Sequence, residues 1–277
     1  MICKGMVCTD LDGTIAFHRE EDNSVYIKEA DLAALHQLRQ SGYAIVVATG
    51  REMNGIRSFL RQSIVAFDYY IGGNGGVITN QNFKILRNTP LPKDTMVKMI
   101  AYIQNEYPDI RMMGTDGWRV YYIDSPYTNV QVDPEDTRNV EIISLAEYIE
   151  GDYNFIMMNA NAGKEHRKDP EAIMPLEADV RRLFGHEINI FRNQAFLDFA
   201  PFGVSKGNAV EYLADHLNLS KAQVHVIGDS WNDVSMFEID ANSYSFKHAE
   251  EELQKRAGNV VESFAEMVDK FIELDDE

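Results

Sequence analysis

The hydrophobic positions near the start of the chain alternate between two kinds of segment. Apolar runs at residues 2–9, 43–48 and 68–72 have the length of strands, and the second contains β-branched side chains, which is typical of a strand covered on both faces. Between these runs, residues 28–41 and 52–62 have a helical pattern of apolar and polar positions. The order strand, helix, strand, helix, strand predicts a doubly wound α/β sheet.

The middle of the chain follows a different pattern. The predicted elements there are helices at 93–106, 144–150 and 170–184 and strands at 111–115, 118–123, 155–158, 188–191 and 196–199. The first two of these strands are joined by Asp116-Gly117, a two-residue hairpin signal. Antiparallel pairs mixed with helices predict a separate α+β module.

The strand–helix alternation returns toward the end of the chain. The predicted elements are helices at 205–218, 231–239 and 262–273 and strands at 224–227 and 243–246. Because the first pattern resumes after the α+β module, that module is interpreted as an insertion into one α/β core. The polar residues 15–26 are predicted to form a loop.

Charge and cysteine content restrict the classes of partner. The formal net charge of −18 argues against nucleic acid, since binding a phosphate backbone needs clustered Lys and Arg. It leaves room for a small anionic substrate, because a bound divalent cation changes the local field. Cys3 and Cys8 are expected to be reduced thiols, which fits a cytoplasmic protein. We find neither a signal peptide nor an apolar run long enough to span a membrane, and the oligomeric state has no sequence signal.

The first apolar run ends in Asp10-Leu11-Asp12-Gly13-Thr14. Alternate residues of a strand share a face, so Asp10 and Asp12 either point the same way or converge at the carboxyl end of the strand. In open α/β sheets that end is where ligands bind. The competing interpretation is an Asp-Gly turn that closes a hairpin. Both remain open on this stretch alone.

Other segments supply partners for that stretch. One further predicted strand ends in Asp229, and another ends in Thr49-Gly50. Because the carboxyl ends of parallel strands meet at one edge, these groups are expected to converge with Asp10 and Asp12. A helix start suits a phosphate, and several carboxylates at one edge suit Mg²⁺. With the positive charge of Lys206, the set has what phosphoryl transfer requires.

Taken in order, these motifs resemble those of the haloacid dehalogenase-like (HAD) hydrolases, and within them the Cof-type phosphatases with a large inserted α+β cap. The matching segments are Asp10-Leu11-Asp12-Gly13-Thr14, Thr49-Gly50-Arg51, Ser205-Lys206-Gly207, Gly228-Asp229-Ser230-Trp231-Asn232-Asp233 and the turn Asn74-Gly75-Gly76. Gly76 departs from the alanine of the family turn. The resemblance implies a Rossmann-like catalytic core of residues 1–81 and 200–277 and a specificity-determining cap of residues 82–199.

The resemblance also implies roles for single residues. Asp10 is the implied nucleophile, which becomes an aspartyl-phosphate, and Asp12 the implied acid–base. The implied ligands of Mg²⁺ are Asp10, the backbone carbonyl of Asp12, and Asp229. The implied phosphate-binding residues are Leu11 and Gly50 through their backbone N–H groups, Thr49, Lys206 and Asn232. Asp233 is implied to support the site by orienting Lys206 or a water on the metal.

We therefore expect a Mg²⁺-dependent phosphatase of small phosphorylated metabolites, with sugar phosphates, vitamin phosphates such as pyridoxal phosphate, and flavin or nucleotide monophosphates all open. The alternatives are a phosphotransferase or phosphomutase on the same core, and a non-catalytic protein that binds phosphate. The basic residues 164–168 are either a solvated face or a contact to an anionic substrate. Arg51 is interpreted as a salt-bridge partner, and Asn74-Gly75-Gly76 as a structural turn.

Overall fold

The computed structural model describes residues 3–19, 24–63, 65–124, 140–162, 170–193 and 195–275. The strands in chain order are β1 (Gly5–Thr9), β2 (Phe17–His18), β3 (Val25–Tyr26), β4 (Tyr43–Ala48), β5 (Tyr69–Gly72), β6 (Val77–Asn80), β7 (Ile85–Asn88), β8 (Arg111–Thr115), β9 (Val120–Ile123), β10 (Val140–Ile143), β11 (Met157–Asn161), β12 (Ile188–Asn193), β13 (Phe196–Pro201), β14 (Val224–Ile227), β15 (Asn242–Phe246) and β16 (Asn259–Val261). The α-helices are α1 (Glu29–Gln40), α2 (Met53–Gln62), α3 (Lys93–Glu106), α4 (Leu145–Glu150), α5 (Met174–Phe184), α6 (Lys206–His216), α7 (Val234–Phe237), α8 (Glu251–Gln254) and α9 (Phe264–Asp275).

An eight-stranded sheet brings together strands from both ends of the chain. Its order is β16-β15-β14-β1-β4-β5-β6-β7. The first six strands run parallel, whereas β6 and β7 extend the edge in antiparallel fashion. This confirms the predicted α/β core, because a connection between parallel strands requires a crossover that places helices on the faces of the sheet.

Helices cover both faces of this sheet, which explains the continuous apolar runs. In β1, Val7 packs into a core with residues of α1, α2 and α9, while Met6 and Cys8 pack on the opposite side with residues of α6, α7 and α8. All five positions of β1 and all six of β4 are buried. Such strands carry no polar alternation, because neither face meets water.

A six-stranded sheet forms the middle of the chain, in the order β10-β9-β8-β11-β13-β12. It is antiparallel except for the β9–β10 pair. Residues of α3, α4 and α5 pack on one face with alternate side chains of the strands, such as Met112, Met158 and Leu197. The intervening side chains, such as Met113, Asn159 and Asp198, line a cavity. The predicted α+β module is therefore present as a sheet with helices on one face.

Several short elements differ from the sequence prediction. β7 lies in the eight-stranded sheet, so the change from one sheet to the other falls between β7 and α3 rather than after residue 81. It pairs with β6 through backbone hydrogen bonds, and in the turn between them Asn80 Oδ1 accepts from two backbone N–H groups. Because backbone contacts define this strand, the hydrophobic pattern of the sequence does not predict it. The expected loop at 15–26 contains the paired two-residue strands β2 and β3. β11 begins at Met157, later than predicted.

Candidate functional site

The carboxyl ends of three adjacent parallel strands place the motif residues at one edge of the eight-stranded sheet. Asp10 follows β1, Thr49 follows β4 and Asp229 follows β14, with β1 in the middle. The backbone N–H of Asp10 donates to the carbonyl of Ile227, at the end of β14, over 3.0 Å. The structure thus brings together residues that are far apart in the sequence, as the parallel-sheet pattern predicts.

Lys206 enters the same edge from the first position of α6, where the Ser205 hydroxyl caps the helix by accepting from the Asn208 N–H over 3.1 Å. Its ammonium donates to Asp10 Oδ1 and to Asp233 Oδ1, each over 2.7 Å. Burial alone lowers the pKa of Lys206, but the two carboxylates together outweigh this effect and hold that pKa above its ordinary value. Lys206 is therefore a buried, permanently charged partner of Asp10.

Burial raises the pKa of Asp10 to about 7, and the charge of Asp233 acts in the same direction while that of Lys206 opposes it. The pKa of Asp229 is raised to about 6, first by burial and then by the charge of Asp10. Burial also raises the pKa of Asp233. These carboxylates are crowded and poorly solvated, so a group that stabilises their ionised forms is needed for all of them to be charged near pH 7.

A divalent cation fits this requirement. Carboxylate oxygens of Asp10, Asp229 and Asp233 lie within 4.8 Å of one another. Three carboxylates against the Lys206 ammonium leave an excess of negative charge among these side chains, and oxygen ligands of this kind suit a hard cation. Asp10 and Asp229 are two of the implied metal ligands. Asp233 joins them in the structure, where its Oδ2 also accepts from the backbone N–H groups of Asp229 and Ser230.

Two residues of the first motif shape this acidic cluster. The hydroxyl of Thr14 donates to Asp229 Oδ1 over 2.9 Å. Gly13 has φ +85°, and a Cβ there would lie 2.5 Å from Asp229 Oδ2. A side chain at this position would therefore both strain the backbone and push the carboxylate away.

Asp12 lies apart from the buried carboxylates. Its side chain is 41% exposed, and Arg51 grips it with two hydrogen bonds, Nε to Oδ2 over 2.7 Å and Nη2 to Oδ1 over 2.5 Å. His18 Nε2 lies 3.7 Å from Asp12 Oδ1. Arg51 is thus a salt-bridge partner, as interpreted from the sequence. The two carboxylates of the first motif therefore differ in exposure, since the Asp10 side chain is 8% exposed and that of Asp12 is 41% exposed.

A cavity of about 770 Å³ opens over this edge. The eight-stranded sheet side contributes five of the candidate residues to its lining, namely Asp10, Asp12, Thr49, Gly50 and Asn232. Thr49 and Gly50 lie before α2 rather than in its first turn, because the helix begins at Met53. The Leu11 side chain is fully buried, which leaves only its backbone for the role implied in phosphate binding.

The six-stranded sheet forms the opposite wall of the cavity. Its lining side chains are apolar at Met113, Val120, Met157 and Phe196 and polar at Thr115, Asn159 and Asp198. Sequence reasoning did not single out any of them, although an acid in the apolar run Phe196-Leu197-Asp198-Phe199 is a signal that could have found Asp198. The basic residues 164–168 lie outside the described residues.

Asn74, whose backbone is in the left-handed region, hydrogen-bonds residues of both cavity walls. Asn74 has φ 52° and donates its side-chain N–H to Asp198 Oδ2 over 2.8 Å. Its Oδ1 accepts from Asn232 Nδ2 over 3.2 Å, and its backbone N–H donates to the Thr49 carbonyl over 3.1 Å. The Asn-Gly-Gly turn, interpreted from the sequence as structural, therefore also contacts two candidate phosphate-binding residues.

Comparison with known proteins gives a family match and a curated relative, each over most of the chain. Residues 7–268 match the family model described as haloacid dehalogenase-like hydrolase. The HMP-PP phosphatase of Yersinia pestis (strain Pestoides F) is 26% identical over 236 residues, which cover 82% of this chain and 78% of that protein.

Two solved structures share the fold. The HAD subclass IIB sugar phosphatase BT4131 superposes with a TM-score of 0.75 at 18% identity, covering 96% of this chain and 98% of that one. A haloacid dehalogenase-like hydrolase from B. subtilis gives a TM-score of 0.77 at 20% identity, with 95% and 96% of the two chains covered. At these identities the likeness extends to the fold alone. None of the described helices has the length and apolar character needed to cross a membrane.

Proposed function

The chain belongs to the haloacid dehalogenase-like hydrolases and is a phosphatase, and from its site we propose that it hydrolyses small phosphorylated metabolites with the help of Mg²⁺ through an aspartyl-phosphate on Asp10. One observation carries this proposal. The Asp10 side chain is 8% exposed, and its carboxylate lies 2.7 Å from the Lys206 ammonium, at the edge of a cavity that is also lined by the exposed carboxylate of Asp12. In this proposal Asp10 is the nucleophile and Asp12 the acid–base, both lining the cavity, and Lys206 is a buried charge clamp bonded to Asp10.

In the first half of the proposed reaction, Asp10 attacks phosphorus. An oxygen–phosphorus bond forms on Asp10, the ester bond breaks, and the leaving oxygen takes a proton from Asp12. In the second half, water attacks the phosphorus of the aspartyl-phosphate and gives a proton back to Asp12. The bond between phosphorus and the Asp10 oxygen breaks, which releases inorganic phosphate and restores the Asp10 carboxylate. The exposure of Asp12 suits a group that must exchange protons with substrate and water, whereas the burial of Asp10 suits one that must exclude water until the ester is cleaved.

The remaining candidate residues are proposed to hold the phosphate and the metal. Lys206 stabilises the ionised form of Asp10 and the phosphate charge. The other proposed phosphate ligands are Thr49, the backbone N–H groups of Leu11 and Gly50, and Asn232. Asp10, Asp229 and the Asp12 carbonyl would hold Mg²⁺, with Asp233 orienting Lys206; when bound there, the ion supplies positive charge to the phosphate oxygens. We assign catalysis to the eight-stranded sheet and substrate selection to the six-stranded sheet, as the core and cap of one enzyme.

The proposal is tested by comparing Asp10→Asn with Asp12→Asn on para-nitrophenyl phosphate, with Mg²⁺ and with a chelator. We expect Asp10→Asn to lose both turnover and any initial burst of nitrophenolate, because no nucleophile remains. We expect Asp12→Asn to release a burst close to one nitrophenolate per active site and then stall, since this good leaving group needs little protonation but water still needs a base.

A matched control is Asp31→Asn, because Asp31 is also buried but holds the backbone of α9 through Ala265 and does not line the cavity. It should leave turnover unchanged. Turnover retained by Asp10→Asn, with circular dichroism showing a folded protein, would contradict the covalent mechanism. Wild-type turnover that survives the chelator would contradict the role of Mg²⁺. Adding alcohol acceptors and analysing the products separates hydrolysis from phosphotransfer.

A further inference from the structure

A buried chain of four polar side chains runs from the phosphate-binding edge into the six-stranded sheet. Asn232 Nδ2 donates to Asn74 Oδ1 over 3.2 Å, Asn74 Nδ2 donates to Asp198 Oδ2 over 2.8 Å, and Asn159 Nδ2 donates to Asp198 Oδ1 over 2.7 Å. Each of these four residues is at most 8% exposed. Asp198 is therefore a buried acceptor that receives hydrogen bonds from two amides.

The chemistry of a carboxylate fixes which way each amide of these hydrogen-bonded side chains must point. Ionised Asp198 has acceptors only, so both amides that contact it must turn their NH₂ groups toward it. Asn74 then has only its Oδ1 left for Asn232, and Asn232 must present its NH₂ in turn. Burial raises the pKa of Asp198 above its ordinary value, and the donors Asn159 and Asn74 and the charge of Lys206 act against this shift without cancelling it. The orientation of the amides follows from the contacts themselves, in which each oxygen of Asp198 accepts from one amide.

Asn74 also lies next to the proposed phosphate ligands Thr49, Gly50 and Asn232. Its backbone N–H holds the carbonyl of Thr49 over 3.1 Å, and a Cβ on Gly50 would lie 3.4 Å from its Oδ1. An amide nitrogen carries two hydrogens, so Asn232 keeps one N–H beyond the bond to Asn74. A reversed Asn232 amide would present an oxygen instead, which a phosphate repels.

We propose that Asp198 is a positioning residue for phosphate binding: it orients the amide of Asn74, which in turn orients Asn232 with an N–H available to the phosphate. This role rests on the proposed function, since it takes Asn232 and Thr49 as phosphate ligands. It links the cap to the chemistry of the core, because Asp198 lies on a strand of the six-stranded sheet.

The test is the affinity for inorganic phosphate in the presence of Mg²⁺, measured by calorimetry and thus without turnover. In Asp198→Asn, one of the two oxygens that accept from Asn74 and Asn159 becomes an NH₂ group, so one of these amides must reverse or lose its partner. Asn159 resists reversal because its Oδ1 accepts from Asn161 Nδ2 over 3.2 Å, so the disturbance is expected at Asn74. We expect phosphate binding to weaken roughly tenfold or more, the size of a lost hydrogen bond to a charged group. The matched variant Asp31→Asn, the same change at a buried carboxylate outside the cavity, should bind phosphate as the wild type does.

A double-mutant cycle shows whether Asp198 acts through Asn74. Asn74→Gly removes the amide while tolerating the left-handed backbone, and it should also weaken phosphate binding. Adding Asp198→Asn to Asn74→Gly should then cause no further loss, because the relay is already broken. Additive losses would show that Asp198 acts by another route and would overturn the proposal.

The remaining outcomes are also decisive. Unchanged phosphate affinity in Asp198→Asn, or a higher KM for esters with unchanged phosphate affinity, overturns the positioning role, the latter because it indicates a contact to the leaving group. If Asp198→Asn does not fold, wild-type affinity in Asn74→Gly alone overturns it. Wild-type protein that binds no phosphate contradicts the proposed function instead, so the two failures are distinguishable.

Discussion

The two walls of the cavity are built in different ways. On the core side, the lining comes from the ends of parallel strands, where Asp10 and Thr49 emerge from the sheet next to buried charges. On the cap side, the lining comes from the face of an antiparallel sheet, whose alternate side chains pack on helices behind it. The strand ends present a few groups whose positions the backbone fixes. The sheet face instead presents many side chains, because every second residue of a strand points to the same face of the sheet.

We expect this difference in construction to separate catalysis from substrate selection within one protein. A change in a core-wall residue disturbs a network of charges in which each member needs the others. A change in a cap-wall residue alters the cavity surface while its neighbours in the strand keep the sheet packed. We therefore expect core-wall variants to affect all substrates alike and cap-wall variants to affect substrates differently.

The largest effect is expected from Lys206→Met. The change leaves Asp10 and Asp233 buried without their shared cation, and removing one partner of a buried ion pair typically costs about 3–5 kcal/mol. The free energy of unfolding from denaturant titration should fall by this amount, and turnover should be lost on every substrate. A stability loss below about 1 kcal/mol, the range typical of exposed pairs, would show that the core wall is not a coupled network.

A more selective effect is expected at Met113, whose neighbour Met112 provides a matched control in the same strand. Met113 lines the cavity, and Met112 packs on the helix side of the sheet. Met113→Ala should change the ratio of kcat/KM between large and small phosphate esters by about tenfold or more, as expected when a pocket loses apolar contacts.

Met112→Ala should instead lower the free energy of unfolding by about 2–5 kcal/mol, the usual cost of a buried cavity, and leave the ratio unchanged. A panel of phosphorylated metabolites and a denaturant titration measure the two effects. If both variants shift the substrate ratio equally, the cap wall does not select through its exposed face.

The smallest effect is expected at Asp179, behind the cap wall. It accepts hydrogen bonds from Arg182, Tyr107 and Tyr102, in that order of importance, and these hold its pKa at about 2, below the ordinary 3.8. Because the folded-state pKa is depressed, the stabilisation is present above pH 3.8 and is lost as the pH falls toward 2.

Asp179→Asn should therefore reduce the slope of unfolding free energy against pH in this acid window, with no change in turnover near pH 7. Denaturant titrations at several pH values measure the slope. Equal slopes in the two proteins would show that these hydrogen bonds do not hold the carboxylate ionised. A change in the substrate ratio would contradict the separation between the cavity face and the helix face of the cap sheet.

Most of the fold and part of the candidate site could be read from the sequence. The apolar runs predict β1, β4 and β14 because these strands are buried on both faces, and the motifs at their ends predict which residues meet. The family resemblance is confirmed by the match over residues 7–268. The two-residue strands β2 and β3 and the edge strand β7 escape such reading, because backbone pairing rather than a hydrophobic pattern defines them.

The sequence alone was enough to predict the class of fold, the family and the convergence of Asp10, Thr49 and Asp229, because parallel strand ends meet at one edge wherever they lie in the chain. Lys206 lies at a helix start, so its contact with Asp10 comes from the tertiary structure. The tertiary structure was needed to establish that Asp10 is buried while Asp12 is partly exposed and bonded to Arg51, and that Asn74 donates a hydrogen bond to Asp198 of the six-stranded sheet. Such facts depend on burial and on contacts between distant segments. Local patterns carry no record of either, because the same carboxylate titrates and bonds differently in each environment.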